Sequence, residues 1–102
     1  MLKLIEDHLP EIQKLCEQYG VRRLELFGSG ARGDFDPTTS DLDFFVEFHV
    51  LGSRGSFKRY MRLKFGLEDM LGLNVDLVEP EAVTNPYFIR VANKYRQLVY
   101  AA

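Results

Sequence analysis

A chain of 102 residues with a 46% apolar share, eight Phe and five Tyr is long enough to bury one hydrophobic core and too short for two. One folded domain over 1–102 is expected, and a disordered polymer is excluded. The net charge of -2 and pI near 5.6 give no global attraction to nucleic acid or anionic lipid, so affinity for phosphates must come from a local arrangement.

The N-terminal run meets Glu6 and Asp7 too early for a signal peptide, and no apolar stretch reaches membrane-spanning length. With the lone Cys16, which reads as a buried apolar group, this predicts a cytoplasmic protein.

Ile5, Leu9, Ile12, Leu15, Cys16 and Tyr19 recur at three- and four-residue spacing, predicting a helix over 2–19, interrupted or bent near Pro10 and stopped by Gly20. Residues 21–27 set Val21, Leu24 and Leu26 against Arg23 and Glu25, a strand pattern that runs into the tight turn Gly28-Ser29-Gly30. Ala31 and Arg32 open a short helix before Gly33, and 34–40 has a loop composition. A second strand over 41–48 points Leu42, Phe44, Val46 and Phe48 one way and Asp41, Asp43, Phe45 and Glu47 the other.

After a Gly/Ser-rich stretch over 52–56, Phe57, Tyr60, Leu63, Leu67, Met70 and Leu71 trace a helix ending at Gly72. A third strand over 74–79 sets Val75 and Leu77 opposite Asp76 and is closed by Pro80. Asn85-Pro86 supplies an N-cap and first helical residue for a helix to about 93. The tail, 97–100, is either a short strand or the helix end. The order suits an α+β or α/β layer in which Leu24, Leu26, Leu42, Phe44, Val75 and Leu77 face the helices and Asp41, Asp43 and Asp76 occupy the open face.

Carboxylates at i and i+2 of a strand project side by side and repel unless a cation lies between them; oxygen-only ligands favour a hard ion such as Mg²⁺. Asp76 on an adjacent strand would complete a two-metal geometry or serve as general base. Gly28-Ser29 supplies the complementary half, because glycine lets backbone approach a phosphate closely and the following N–H groups and the Ser hydroxyl can donate to it.

The run Gly28-Ser29-Gly30-Ala31-Arg32-Gly33 … Ser40-Asp41-Leu42-Asp43 resembles the signature of the minimal nucleotidyltransferases of the DNA polymerase β-like superfamily. Leu71-Gly72-Leu73-Asn74-Val75-Asp76-Leu77-Val78 is similar to that family's third-carboxylate strand. Eleven residues separate Ser29 from Asp41, one more than the common spacing.

The resemblance implies an α+β nucleotidyltransferase (polymerase β-like) fold with a small mixed sheet packed by helices on one face. It implies catalytic Asp41, Asp43 and Asp76 holding Mg²⁺, with Gly28, Ser29 and Arg32 on the nucleotide. It also implies an antitoxin that moves AMP from ATP to a tyrosine of a HEPN ribonuclease toxin. Two other expectations stay open: a binding antitoxin that acts by occlusion, and nucleotidyl transfer to a small hydroxylated molecule. Oligomeric state is left open as well.

Arg54, Lys58, Arg59, Arg62 and Lys64 form a basic run that reads first as a solvated helix face. Arg32 has two readings, a phosphate contact or pairing with Asp34 or Asp36. His8 and His49 lack partners at metal-ligand spacing. Tyr87, Phe88, Tyr95 and Tyr100 read as core or, in part, as a partner interface.

Overall fold

The computed structural model describes residues 1–49 and 56–102. The predicted first helix is two helices, α1 (Lys3–Asp7) and α2 (Leu9–Gln18), with the break at His8. Pro10 lies in the first turn of α2, where its missing N–H leaves no bond unmade. The His8 ring closes the corner, its Nδ1 donating to the Leu4 carbonyl at 2.8 Å.

Strand β1 (Val21–Phe27) leads through Gly28 into the one-turn helix α3 (Ser29–Arg32), and 34–40 is loop. Then follow β2 (Leu42–Phe48), α4 (Ser56–Leu71), β3 (Val75–Val78), a 3₁₀ turn at Pro80–Ala82, α5 (Pro86–Asn93) and β4 (Gln97–Ala101). The ambiguous tail is therefore a strand. Residues 52–55 of the predicted Gly/Ser-rich stretch, and Arg54 with them, lie outside the described residues. No described helix is long and apolar enough to cross a membrane.

The sheet order is β3-β2-β1-β4. β1 runs antiparallel to β2 and β4, while β2 and β3 are parallel. A parallel pair needs a crossover, and α4 lies within it. Alternation drives Leu42, Phe44 and Val46 fully into one face, against Ile5, Ile12, Cys16, Leu63 and Leu67 of α1, α2 and α4. Gly66 lets α4 approach α2, since a Cβ there would come within 2.9 Å of Leu15 Cδ2. Burial, and after it the charge of Glu17, pushes the Cys16 thiol up to about 12, so it is an inert packing group.

The opposite face bears the aspartates at one end and a smaller aromatic cluster in its middle. Phe27 and Phe45 stack at 4.1 Å, Ala92 of α5 seats on them, and Phe88 meets both rings edge-on. Arg96 lies over Phe45 at 4.6 Å and donates to Glu25 Oε1, which also accepts from Arg23 Nε at 3.0 Å. Thus α5 is tied to the sheet across the face the long helices leave bare. The aromatic set splits rather than forming one core: Tyr100 packs against the main core, whereas Tyr87 is 70% exposed.

Burial works to raise the Glu25 carboxyl, but hydrogen bonds from Arg96 and Arg23 outweigh it and hold the group below its ordinary value. A depressed carboxylate stabilises the fold above its unfolded pKa, and that contribution disappears as pH falls through the folded value. Glu25→Gln should therefore lose about 1–2 kcal/mol at pH 7. In urea titrations the gap from wild type should narrow at pH 3.

Candidate active site

The site is assembled on adjacent strands. Because Leu42 and Phe44 are buried, Asp43 between them must point to the other face, where it stands opposite Phe27 of β1 and Asp76 of β3. Val75 and Leu77 impose the same on Asp76. In a parallel ladder, residues at one register position present neighbouring side chains, so the two carboxyl groups come within hydrogen-bonding reach.

Burial, then the charge and hydrogen bond of Asp76, then the charge of Asp41, push the Asp43 carboxyl up to about 6, against a small opposing pull from Arg32. An acid held back from ionisation beside a second carboxylate gives an oxygen-only donor set suited to a hard divalent cation, whose charge would offset the repulsion on Asp43.

Gly28 completes the site from β1. Its φ of 70° and ψ of -150° belong to a region open essentially to glycine alone. A Cβ there would overlap the Asp43 carboxylate, with Asp43 Cγ only 3.3 Å away. The Gly28 carbonyl accepts from Ala31 N and Arg32 N, so it caps α3. The first N–H groups of that turn, at Ser29 and Gly30, have no partner within the helix and are available to an anion.

Of the residues expected in the site, Asp43, Asp76 and Gly28 stand together, with Ser29 next in the chain and Arg32 on the same cleft. Asp41 does not join them as a strand residue. It is exposed and precedes β2, whose pairing with β3 starts where Leu42 N donates to the Asn74 carbonyl. Among the described residues, no three His, Cys, Asp or Glu side chains form a ready-made cation cage. Arg32 ion-pairs with Asp34 at 3.3 Å.

The sequence placed α5 but not its role as a wall of the site. A cleft of about 190 Å³ runs beside Gly28, Arg32 and Asp43, and its other wall is Phe27, Phe88, Val91, Ala92 and Tyr95. The available signal was the number of apolar residues in and just after α5, more than one buried face accommodates, which leaves Phe88, Val91 and Tyr95 between 37% and 48% exposed. A larger hollow of about 560 Å³, between the start of α4 and β3, is lined mainly by apolar residues and lacks Asp43, Gly28 and Arg32. The chemistry converges in the smaller cleft.

A family model described as nucleotidyltransferase domain matches residues 11–99. A Methanocaldococcus jannaschii protein named "Putative protein adenylyltransferase MJ1379" is 42% identical over 73 residues, covering 72% of this chain and 71% of that protein. A solved structure of a "putative minimal nucleotidyltransferase" is 30% identical with a TM-score of 0.73, covering 93% of this chain and 94% of its own. The MNT antitoxin solved with a tri-AMPylated Shewanella oneidensis HEPN toxin superposes with a TM-score of 0.65 at 18% identity, over 96% of this chain and 73% of that one. That last likeness is one of fold.

Proposed function

The chain belongs to the nucleotidyltransferase domain family, and from that premise we propose that it is a Mg²⁺-dependent protein adenylyltransferase, the antitoxin of a HEPN ribonuclease toxin. The observation that carries the reading is Asp43 and Asp76 on one ladder position, with the Gly28 turn directly against Asp43. Support for the acceptor comes from the MNT antitoxin of Shewanella oneidensis, whose HEPN partner carries AMP.

On this reading Asp43 and Asp76, with Asp41 as third acid, hold Mg²⁺, and Gly28, Ser29 and Arg32 receive the triphosphate. The bound cation would neutralise charge developing on the transferred and leaving phosphates. The apolar wall of Phe88, Val91 and Tyr95 suits the flat face of a nucleobase, while the α3 N–H groups suit its phosphates. A tyrosine hydroxyl of the partner attacks the α-phosphorus, its proton passes to a carboxylate of the cluster, and the bond to pyrophosphate breaks.

Incubation with ATP labelled at the α-phosphate, Mg²⁺ and the HEPN protein encoded beside it should move label onto that protein; label at the γ-phosphate should not transfer. Absence of transfer, or transfer undiminished in Asp43→Ala, would overturn the proposal. Neutralisation by occlusion is the second reading, favoured by the exposed apolar residues Tyr87, Val91, Tyr95 and Leu98 around α5 and β4. Full protection by Asp43→Ala against the toxin would select it.

A further inference from the structure

β3 is a strand of four residues at the edge of the sheet, and β2 supports it from one side only. Its other margin would ordinarily expose unpaired N–H and C=O groups. Here side chains of α4 occupy that margin. Tyr60 donates its hydroxyl to the Leu77 carbonyl at 2.5 Å, Lys64 donates to the Val75 carbonyl at 2.8 Å, and Glu68 accepts from Val75 N at 3.0 Å. Lys64 and Glu68 are also bonded to each other at 2.8 Å.

The three side chains recur every four residues along one face of α4, and the backbone groups they grip belong to alternate residues of β3. From Tyr60 to Lys64 the helix advances about 6 Å while Leu77 and Val75 lie about 6.6 Å apart along the strand, so these two turns meet alternate residues; Glu68, one turn further, takes the N–H of Val75 itself. The gripped residues, Val75 and Leu77, are the two neighbours of Asp76. Asp76 itself meets Asp43 from β2.

We propose that Tyr60, Lys64 and Glu68 are positioning residues that fix β3 along its axis and thereby hold the Asp76 carboxylate level with Asp43 for the divalent cation. None of the three touches the cation or the nucleotide. The proposal rests on the reading that Asp43 and Asp76 hold that ion. It also gives Lys64 a role distinct from the solvated basic face on which Lys58 and Arg62 lie exposed.

The test uses Mn²⁺ alone as the probe, titrated into the purified chain and followed by electron paramagnetic resonance, beside thermal melts. Wild type should bind the ion and Asp43→Ala should not. Lys64→Met and Tyr60→Phe should each weaken Mn²⁺ binding about tenfold, the scale seen when groups behind a metal ligand are removed. Lys64→Arg, which keeps a donor for the Val75 carbonyl, should recover most of the loss.

Ile12→Val, a core change remote from β3, serves as a control that lowers the melting temperature without touching this margin. Variants binding Mn²⁺ as tightly as wild type, or losing no more affinity than Ile12→Val does, would overturn the positioning role while leaving the proposed function in place. Wild type that binds no Mn²⁺ through Asp43 would overturn the proposed function and this inference with it.

Discussion

Asp43→Asn should give a protein that is more stable at neutral pH than wild type and that no longer transfers a nucleotide. Asp43 is the half-buried acid of the cluster, and its folded value of about 6 stands above the ordinary carboxylate range. A raised value means that the contribution to stability is fully present below the unfolded pKa and is lost as pH rises through about 6. At pH 7.5 the cation-free wild type therefore carries an ionised Asp43 against its acidic neighbours.

Replacing it by the neutral amide should return about 1–2 kcal/mol, a figure already reduced because the group is partly solvated. Denaturant titrations from pH 4 to 8 without divalent ions should show wild type weakening and Asp43→Asn holding level. Added Mg²⁺ should close the gap by stabilising wild type alone. Transfer should fall on the order of a thousandfold, as when a preorganised charge-stabilising group is removed from a site. A wild type whose stability is flat across that range would show that the pair bears no such load.

Gly28→Ala should be nearly as damaging to transfer, and for a steric reason. The substitution meets two obstacles at once: a backbone conformation that costs a side-chain-bearing residue about 1–3 kcal/mol, and overlap with the Asp43 carboxylate. The melting temperature should drop and nucleotide transfer should be lost on the order of a hundredfold or more, because either the turn or the carboxylate must shift.

A double-mutant cycle separates the two obstacles. In an Asp43→Ala background the overlap is gone and only the backbone cost remains, so the penalty of Gly28→Ala in a urea titration should shrink. Equal penalties in both backgrounds would mean that Gly28 and Asp43 do not press on one another.

The phase of β2 and β3 was legible in the sequence, because alternation at Leu42, Phe44 and Val46, and at Val75 and Leu77, leaves Asp43 and Asp76 only the other face. The Gly28-Ser29 turn was legible for the same kind of reason, a strand pattern stopping at a residue free of side-chain constraint. What periodicity cannot supply is adjacency. That Asp43 stands beside Asp76 depends on the order β3-β2-β1-β4, which follows from how α4 crosses over, and no local pattern encodes it.

Asp41 shows the limit from the other direction. Its i, i+2 spacing from Asp43 suggested a shared strand face, but pairing starts one residue later and leaves it exposed. The Arg96–Glu25 bond joins positions 71 residues apart, and a basic residue followed by a strand gives no sign of such a partner. Lys64 likewise read as one more charge on a solvated face; its inward bond to the Val75 carbonyl needed β3 to be in place. Helix α5 was visible from its Asn85 cap, whose side chain accepts from Tyr87 N and Phe88 N, but the cap says nothing about which face of the sheet the helix covers.

The occupied margin of β3 has a consequence for how this sheet can grow. Main-chain groups already bonded to Tyr60, Lys64 and Glu68 cannot also recruit another strand, whereas β4, with the sequence Gln97-Leu98-Val99-Tyr100-Ala101, carries neither proline nor charge along its length. A peptide or second chain that lengthens the sheet by backbone pairing must therefore enter beside β4. That margin is separated from Asp43 by β1 and from Asp76 by β1 and β2, so extension and chemistry are assigned to opposite sides of the same four strands.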